Sequence, residues 1–147
     1  MSERAPIPKP LPQPTAQSQP YWDACASGEL RLQRCDACGA WWFPPAERCP
    51  ECLGTRWTWT PASGRGRVYS FVVYHRAYHA AFAPDLPYVV ALVELEEGPR
   101  VISNLVGCAV ESVRCDMAVE AVFEQVAEGV HLPKFRSRGT AGTGTPG

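Results

Sequence analysis

Two cysteine pairs, Cys35 with Cys38 and Cys49 with Cys52, constrain this chain more than any other feature. Two residues lie inside each pair and ten between the pairs. A turn of this kind sets two sulfurs on one side of a metal. A second turn brought opposite completes a tetrahedral cage, with sulfurs about 2.3 Å from a zinc ion. The spacing predicts one structural Zn2+ held by Cys35, Cys38, Cys49 and Cys52. A closed shell of sulfurs leaves no position for substrate, so this metal is expected to be structural rather than catalytic. The alternatives are iron in the same cage or a site that has lost its metal. A redox role fits less well, because one pair would suffice and two would compete. A module this small is expected to lack a core of its own and to draw its folding energy from the metal.

The rest of the composition agrees with metal rather than disulfides. The chain has seven cysteines, an odd number that cannot pair fully within one chain. No run of about eighteen apolar residues or signal-type apolar core occurs, so no membrane span is expected. A cytoplasmic location follows as the expectation, and in that reducing setting thiols bind metal. Cys25, Cys108 and Cys115 then read as small buried apolar residues. At 147 residues the chain suits one domain with a small appendage.

Periodicity divides the chain into four parts. Residues 1–20 hold six prolines and read as a disordered or extended arm. Residues 21–60 read as a helix plus a zinc ribbon. Pro20 can open the helix and Gly28 close it, with Trp22, Cys25 and Ala26 at helical spacing. "ELRLQRC" alternates into the first cysteine pair and "RWTWT" alternates out of the second, giving two strands. Residues 61–136 read as a five-stranded Greek-key barrel, the OB-fold, with a hinge at "PASGRG". Its strand signals are "RVYSFVVYHR", "YVVALVEL", "VISNLVG", "MAVEAVFEQV" and "HLPKFR", with a helical turn in "AVESVRCD" before the fourth. "YVVALVEL" is apolar enough to be buried on both faces. In "MAVEAVFEQV", Val119, Ala121 and Phe123 fall on one face, opposite Glu120 and Glu124. Residues 137–147 read as a disordered tail. The predicted fold is therefore mostly β: an N-terminal helix, a zinc ribbon, then the barrel.

Catalytic signals are sparse. There is no nucleophile elbow, phosphate loop or paired-histidine metal motif. His75, His79 and His131 form no acid–base pair at defined spacing, so the chain is not expected to be catalytic alone. Contact residues are more legible. Trp41 and Trp42 in the ribbon need burial, on the barrel or on a partner. The loop at residues 77–87 holds Tyr78, His79 and Phe82 and is too long for a simple hairpin. It either lies against a partner and its substrate or folds over its own barrel. Arg65, Arg67 and Arg76 flank the first barrel strand. They either face a phosphate-bearing ligand or are solvated and paired with local acids. Residues 30–76 carry seven arginines against three acids, and residues 77–130 carry two against nine. Zinc ribbons and OB-folds also bind single-stranded nucleic acid, and the first excess fits that. The second opposes phosphate, so nucleic acid is not the expected partner.

The motifs "YWDACASGELRLQRCDACG", "FPPAERCPEC", "GRGRVYSFVVYHR", "LPYVVALVELEEGPRVISNLVG" and "LPKF", in this order, make the chain resemble a known family. Its members join a rubredoxin-like zinc ribbon to an OB-fold and are associated with acyl-CoA metabolism. The resemblance covers about residues 21–136. Two departures stand near the fourth barrel strand: the family often has Gly-Met-Pro before it, where this chain has Asp116, Met117 and Ala118. Members resemble accessory subunits of thiolase-superfamily enzymes, often fused behind a hot-dog hydratase domain. The resemblance implies a partner of a thiolase-like aldolase that cleaves a steroid acyl-CoA side chain by retro-aldol reaction. It implies a two-plus-two heterotetramer with the acyl-CoA at or near the interface. Partnership with a ketothiolase is the alternative. Twelve arginines against two lysines suit a GC-rich actinobacterial source and favour the steroid reading.

Overall fold

The structure is a computed structural model and describes residues 8–138. Residues 1–7 and 139–147, which include parts of the expected arm and tail, lie outside it. Helix α1 spans Gln19–Ala26 with Pro20 in its first turn, where a missing N–H costs nothing. Gly28 follows at φ 78°, a left-handed conformation that lets the chain leave the helix. The buried face of α1 is Tyr21, Ala24 and Cys25 rather than Trp22, Cys25 and Ala26. Trp22 is half-buried and Ala26 exposed, because the helix is short and its first turn lies against the barrel.

The ribbon is a sheet of three strands, not two, in the order β2-β1-β3. Strand β1 is Arg31–Cys35, β2 is Trp41–Trp42 and β3 is Trp57–Pro61. The additional strand is the Trp-Trp pair, whose two residues pair with Arg34 and Gln33. It is too short to produce a periodic signal. Beyond β3 the hinge is brief, since β4 begins at Arg65.

The barrel strands are β4 (Arg65–Tyr74), β5 (Tyr88–Leu95), β6 (Arg100–Val106), β7 (Ala118–Ala127) and β8 (Val130–Ser137). They close in the order β4-β5-β6-β8-β7, the connectivity of the expected OB-fold. Two seams close it. Arg65, Gly66 and Arg67 pair antiparallel with Glu120, Val119 and Ala118. Leu105 and Val106 pair in parallel with Phe135 and Arg136. At Gly66 a Cβ would collide with the backbone carbonyl of Glu94, so only glycine lets β4 and β5 approach this closely. A short 3-10 helix, Val110–Ser112, precedes β7.

β5 is not buried on both faces. Val89, Ala91, Val93 and Leu95 are buried, while the residues between them are half-exposed. Antiparallel pairing with β4 and β6 presents one face to the core and leaves the other outside. Asp116 has φ 72°, a left-handed backbone conformation in the turn before β7. Aspartate tolerates this conformation better than most side chains.

One apolar cluster runs through barrel, helix and ribbon. Val68, Val93, Val119 and Phe135 fill the barrel, and Tyr21, Cys25, Leu30 and Leu32 join them. Trp22, Trp41, Phe43 and Trp59 pack against it. The ribbon therefore has a core after all. It shares the barrel's cluster on one side and keeps a small one on the other, with Trp42 between Cys35 and Cys49. Among the described residues, no helix is long and apolar enough to cross a membrane.

Candidate metal centre and partner-facing surface

The two cysteine turns meet at the end of the ribbon. The four sulfurs lie within 4.8 Å of one another. Cys35 Sγ is 3.6 Å from Cys52 Sγ, and Cys38 Sγ is 3.5 Å from Cys49 Sγ. A tetrahedron with metal–sulfur bonds of about 2.3 Å has edges of about 3.8 Å, so this donor set fits such an ion. Cys35 and Cys49 are buried and Cys38 and Cys52 exposed, which places the cage at the surface. Backbone N–H groups already point at the inner sulfurs. Ala37 and Cys38 donate to Cys35 Sγ at 3.4 Å, and Glu51 and Cys52 donate to Cys49 Sγ at 3.4 and 3.5 Å. The Cys38 N–H, aided by that of Ala37, holds the Cys35 thiol low, while hydrogen bonds among the crowded sulfurs push the Cys38 and Cys52 thiols up. Such N–H donors favour the thiolate, the form that ligates metal.

Both turns need a left-handed residue directly after their second cysteine. The first uses Gly39 at φ 79° and the second uses Leu53 at φ 63°. Their bonds correspond: Gly39 N–H donates to Cys35 O at 3.0 Å, and Leu53 N–H to Cys49 O at 2.8 Å. Leu53 carries backbone strain there and is 66% exposed, with no packing to offset it. Gln33 is the other residue that sequence reasoning missed. Alternation marks it as an outward polar side chain, yet it is fully buried beneath the loop that leads to Cys49. Its Nε2 donates to Ala46 O and its Oε1 accepts from Ala46 N, both at 2.8 Å. The only sequence hint is that Gln33 directly follows Leu32 just before the first cysteine pair.

Of the two tryptophans expected at a contact, Trp42 is only 6% exposed, enclosed by the ribbon's own residues. Trp41 is half-buried on the barrel cluster, with Arg34 5.1 Å over its ring. Exposed apolar surface lies instead on the barrel. Tyr69, Val72, Tyr78 and Ile102 are the large exposed residues of β4, β6 and the following loop. Register places Ser70, Leu92 and Ile102 in one row across the sheet, and Val72, Val90 and Asn104 in the next. Past Arg67, β4 pairs with β5 alone among the described residues, so its outer edge has no strand beside it.

The loop at residues 77–87 divides in two. Its 3-10 helix, Ala80–Asp85, buries Ala81 and half-buries Phe82. Tyr78 is 76% exposed, and His79 is exposed with its Nδ1 accepting from Ala81 N–H at 3.1 Å. Aromatic contacts connect the loop to the sheet. Tyr78 stands edge-on to Tyr74, Tyr74 stacks on Tyr88 at 5.1 Å, and Phe82 bridges Tyr88 and His79.

The three arginines are not brought together. Arg67 is held by Glu94 at 2.7 Å and Asp116 at 2.9 Å, and Arg65 lies 3.5 Å from Glu96. Glu94 in turn sits below the usual carboxylate range because Arg67 and Arg100 bond it. Arg76, at the far end of the strand, lies over the Tyr78 ring at 5.5 Å. His75 and His79 lie in the connection after β4 and His131 on β8, and no carboxylate bonds any of them among the described residues. Cys25 is fully buried and its thiol is pushed up to about 12. Cys108 is half-buried, but Cys115 is exposed rather than buried, since it lies in the turn before β7.

Comparison with known proteins matches residues 22–58 to the family model described as ChsH2, rubredoxin-like zinc ribbon domain. Residues 59–124 match the model described as ChsH2, C-terminal OB-fold domain. A probable enoyl-CoA hydratase alpha subunit of Thermomonospora curvata is 38% identical over 128 residues, or 87% of this chain. The chain spans only 40% of that relative's length. The benzoylsuccinyl-CoA thiolase subunit BbsA of Thauera aromatica is 33% identical, across 94% of this chain and 99% of BbsA. Among solved structures, a chain of the Ltp2-ChsH2(DUF35) aldolase superposes with a TM-score of 0.78 at 38% identity. That match covers 86% of this chain and 98% of the other.

Proposed function

The chain belongs to the ChsH2-type family that joins a rubredoxin-like zinc ribbon to an OB-fold, and on that premise we propose that it is a non-catalytic accessory subunit of a thiolase-like aldolase. The enzyme cleaves the side chain of a steroid acyl-CoA by retro-aldol reaction. The partner supplies the acid and base. This chain binds and activates the partner, forms part of the acyl-CoA tunnel, and carries one structural zinc on Cys35, Cys38, Cys49 and Cys52. The assembly is two-plus-two. The observation that carries this reading is the near-complete match to a chain from an aldolase complex.

The exposed apolar face of β4–β6 and the Tyr78–His79 loop segment support it, since interface centres favour aromatic residues. In this reading Tyr78, His79 and Phe82 line the tunnel entrance, with Trp41 beside the ribbon contact. Trp42 acts only indirectly, by holding the ribbon. Arg76 is the best placed of the three arginines to meet a CoA phosphate, because Arg65 and Arg67 already have carboxylate partners.

Mixing the purified chain with its thiolase-like partner tests the reading. Cleavage is expected only in the mixture, and light scattering should give a two-plus-two mass. Replacing residues 78–84 with a short Gly-Ser linker should sharply reduce cleavage while ribbon and barrel stay folded. Turnover by this chain alone, or full activity of the loop variant, would contradict it. The BbsA match favours a second reading, service to a ketothiolase. Thiolysis consumes free CoA and retro-aldol cleavage does not, so a requirement for CoA decides between them.

A further inference from the structure

One end of the barrel holds a cleft that lies apart from the metal centre and shares Phe82 with the loop assigned to the tunnel entrance. A cleft of about 460 Å3 opens where β5 begins, β6 and β7 end, and β8 starts. Its size lies within the usual range for small-molecule sites, about 300–1,000 Å3. Val89, Leu105, Val126 and Leu132 give it an apolar lining. Val89 and Leu105 also belong to the barrel core, so the cleft reaches down to packed interior. The N-terminal arm straps one side. Lys9 pairs with Asp85 at 2.6 Å and lies 5.4 Å over the Phe82 ring.

The charged groups of the lining are matched in pairs. Lys134 on β8 pairs with Glu124 on β7. The lysine side chain is 18% exposed and the carboxylate 54%. An ammonium group has three donors, so one carboxylate leaves donors over in a place with little water. Asn104 donates from Nδ2 to Val89 O at 2.9 Å. Each lysine is already matched by a carboxylate, so the cleft carries no net positive charge to draw an anionic ligand. A neutral ligand leaves both pairs intact and can accept a hydrogen bond from Lys134.

We propose that this end of the barrel is a binding site for a neutral, apolar small molecule that carries a carbonyl oxygen. The apolar body fills the space above Leu105 and Leu132, and the oxygen accepts from Lys134 Nζ. The site does not depend on which enzyme the chain assists.

The probe is 6-propionyl-2-(dimethylamino)naphthalene, a neutral aromatic ketone whose emission moves to the blue in apolar surroundings. Titrated into the full metal-loaded chain, it should give a saturable blue shift. Amide shifts of the nitrogen-15-labelled chain should move at Val89, Leu105 and Leu132. Leu132→Trp, which fills the cleft, should weaken binding at least tenfold. Lys134→Met should weaken it about tenfold, the loss of one hydrogen bond to a charged group. The carbonyl-free analogue 2-(dimethylamino)naphthalene should bind more weakly than the ketone by a similar factor. Absence of saturation overturns the site, as do amide shifts confined to Val72, Tyr78 and Ile102. Equal binding of the two probes overturns the role given to the carbonyl. If Leu132→Trp does not fold, the amide map of the unaltered chain still decides.

Discussion

The ribbon and the barrel lie against each other, yet different physics holds each. In the barrel, Val68, Val93, Val119 and Phe135 exclude water from a continuous interior, and no single bond is indispensable. In the ribbon, the far end of the sheet has only Trp42 and two cysteines buried, with Trp57 and two alanines packed against them. There, short loops are fixed by directional bonds: sulfur cage, backbone-to-sulfur contacts and the Gln33 clamp. The difference concerns how damage spreads. A barrel loses stability in proportion to volume removed, whereas the ribbon should fail when one directional element is lost.

Cys49→Ser is expected to have the largest effect. Structural zinc in small modules contributes about 10–16 kcal/mol of apparent folding energy, so the ribbon should lose both metal and order. Metal content should fall, and the fluorescence of Trp42 and Trp57 should shift red. Because Leu30 and Leu32 are shared, the barrel should weaken too, while its own amide signals persist. A fully soluble, well-ordered ribbon without metal would erase the distinction. Phe135→Ala should come next. Removing a buried phenyl ring costs about 3–5 kcal/mol, seen as a lower midpoint in chemical denaturation. Zinc affinity should change little, which would show that the barrel fails by volume and the ribbon does not.

Gln33→Ala sharpens the comparison further. It removes two hydrogen bonds to the half-buried Ala46 backbone, at about 1 kcal/mol each. Zinc affinity should drop with stability, because the clamp positions the loop before Cys49. A loss of stability with unchanged zinc affinity would confine Gln33 to packing. The smallest effect runs the other way. Leu53→Gly should stabilise the loaded protein by about 1 kcal/mol, because a left-handed non-glycine residue costs about that much. Thermal melting of the zinc-bound form is the measurement, and Gly39→Ala should move it oppositely.

Legibility in the sequence follows the same division. Cysteine spacing carried the metal centre, because ligand geometry is local and fixed by two residues between each pair. Alternation in "ELRLQRC" and "RWTWT" located β1 and β3, whereas β2 has two residues and no period to read. All five barrel strands were visible, since each has β-branched or aromatic runs bounded by turns. Their burial was less visible. "YVVALVEL" reads as doubly buried, but the alternate face of Leu92 and Val90 is half-exposed. An apolar residue facing a solvent-side surface looks the same in sequence as one facing a core. Gln33 and the pairings of Arg65 and Arg67 were hidden for a related reason. Each depends on a partner far along the chain, and nothing local announces the meeting.

The two seams of the barrel carry a kinetic consequence. β4, β5 and β6 form one long meander, and β7 with β8 forms one long hairpin. Strand pairing joins them at two short seams, where Arg65, Gly66 and Arg67 meet Ala118, Val119 and Glu120 and where Leu105 and Val106 meet Phe135 and Arg136, extended by bonds of Val68 to Met117 and Asp116 and of Ser103 Oγ to Pro133 O. Cooperative units of a native protein open separately, at free energies below that of global unfolding. Hydrogen–deuterium exchange should therefore divide the barrel into two foldons, with seam amides exchanging before those at the centre of β5. Helix α1 packs chiefly on β8, with smaller contacts to β1 and β7, so it should exchange with the hairpin.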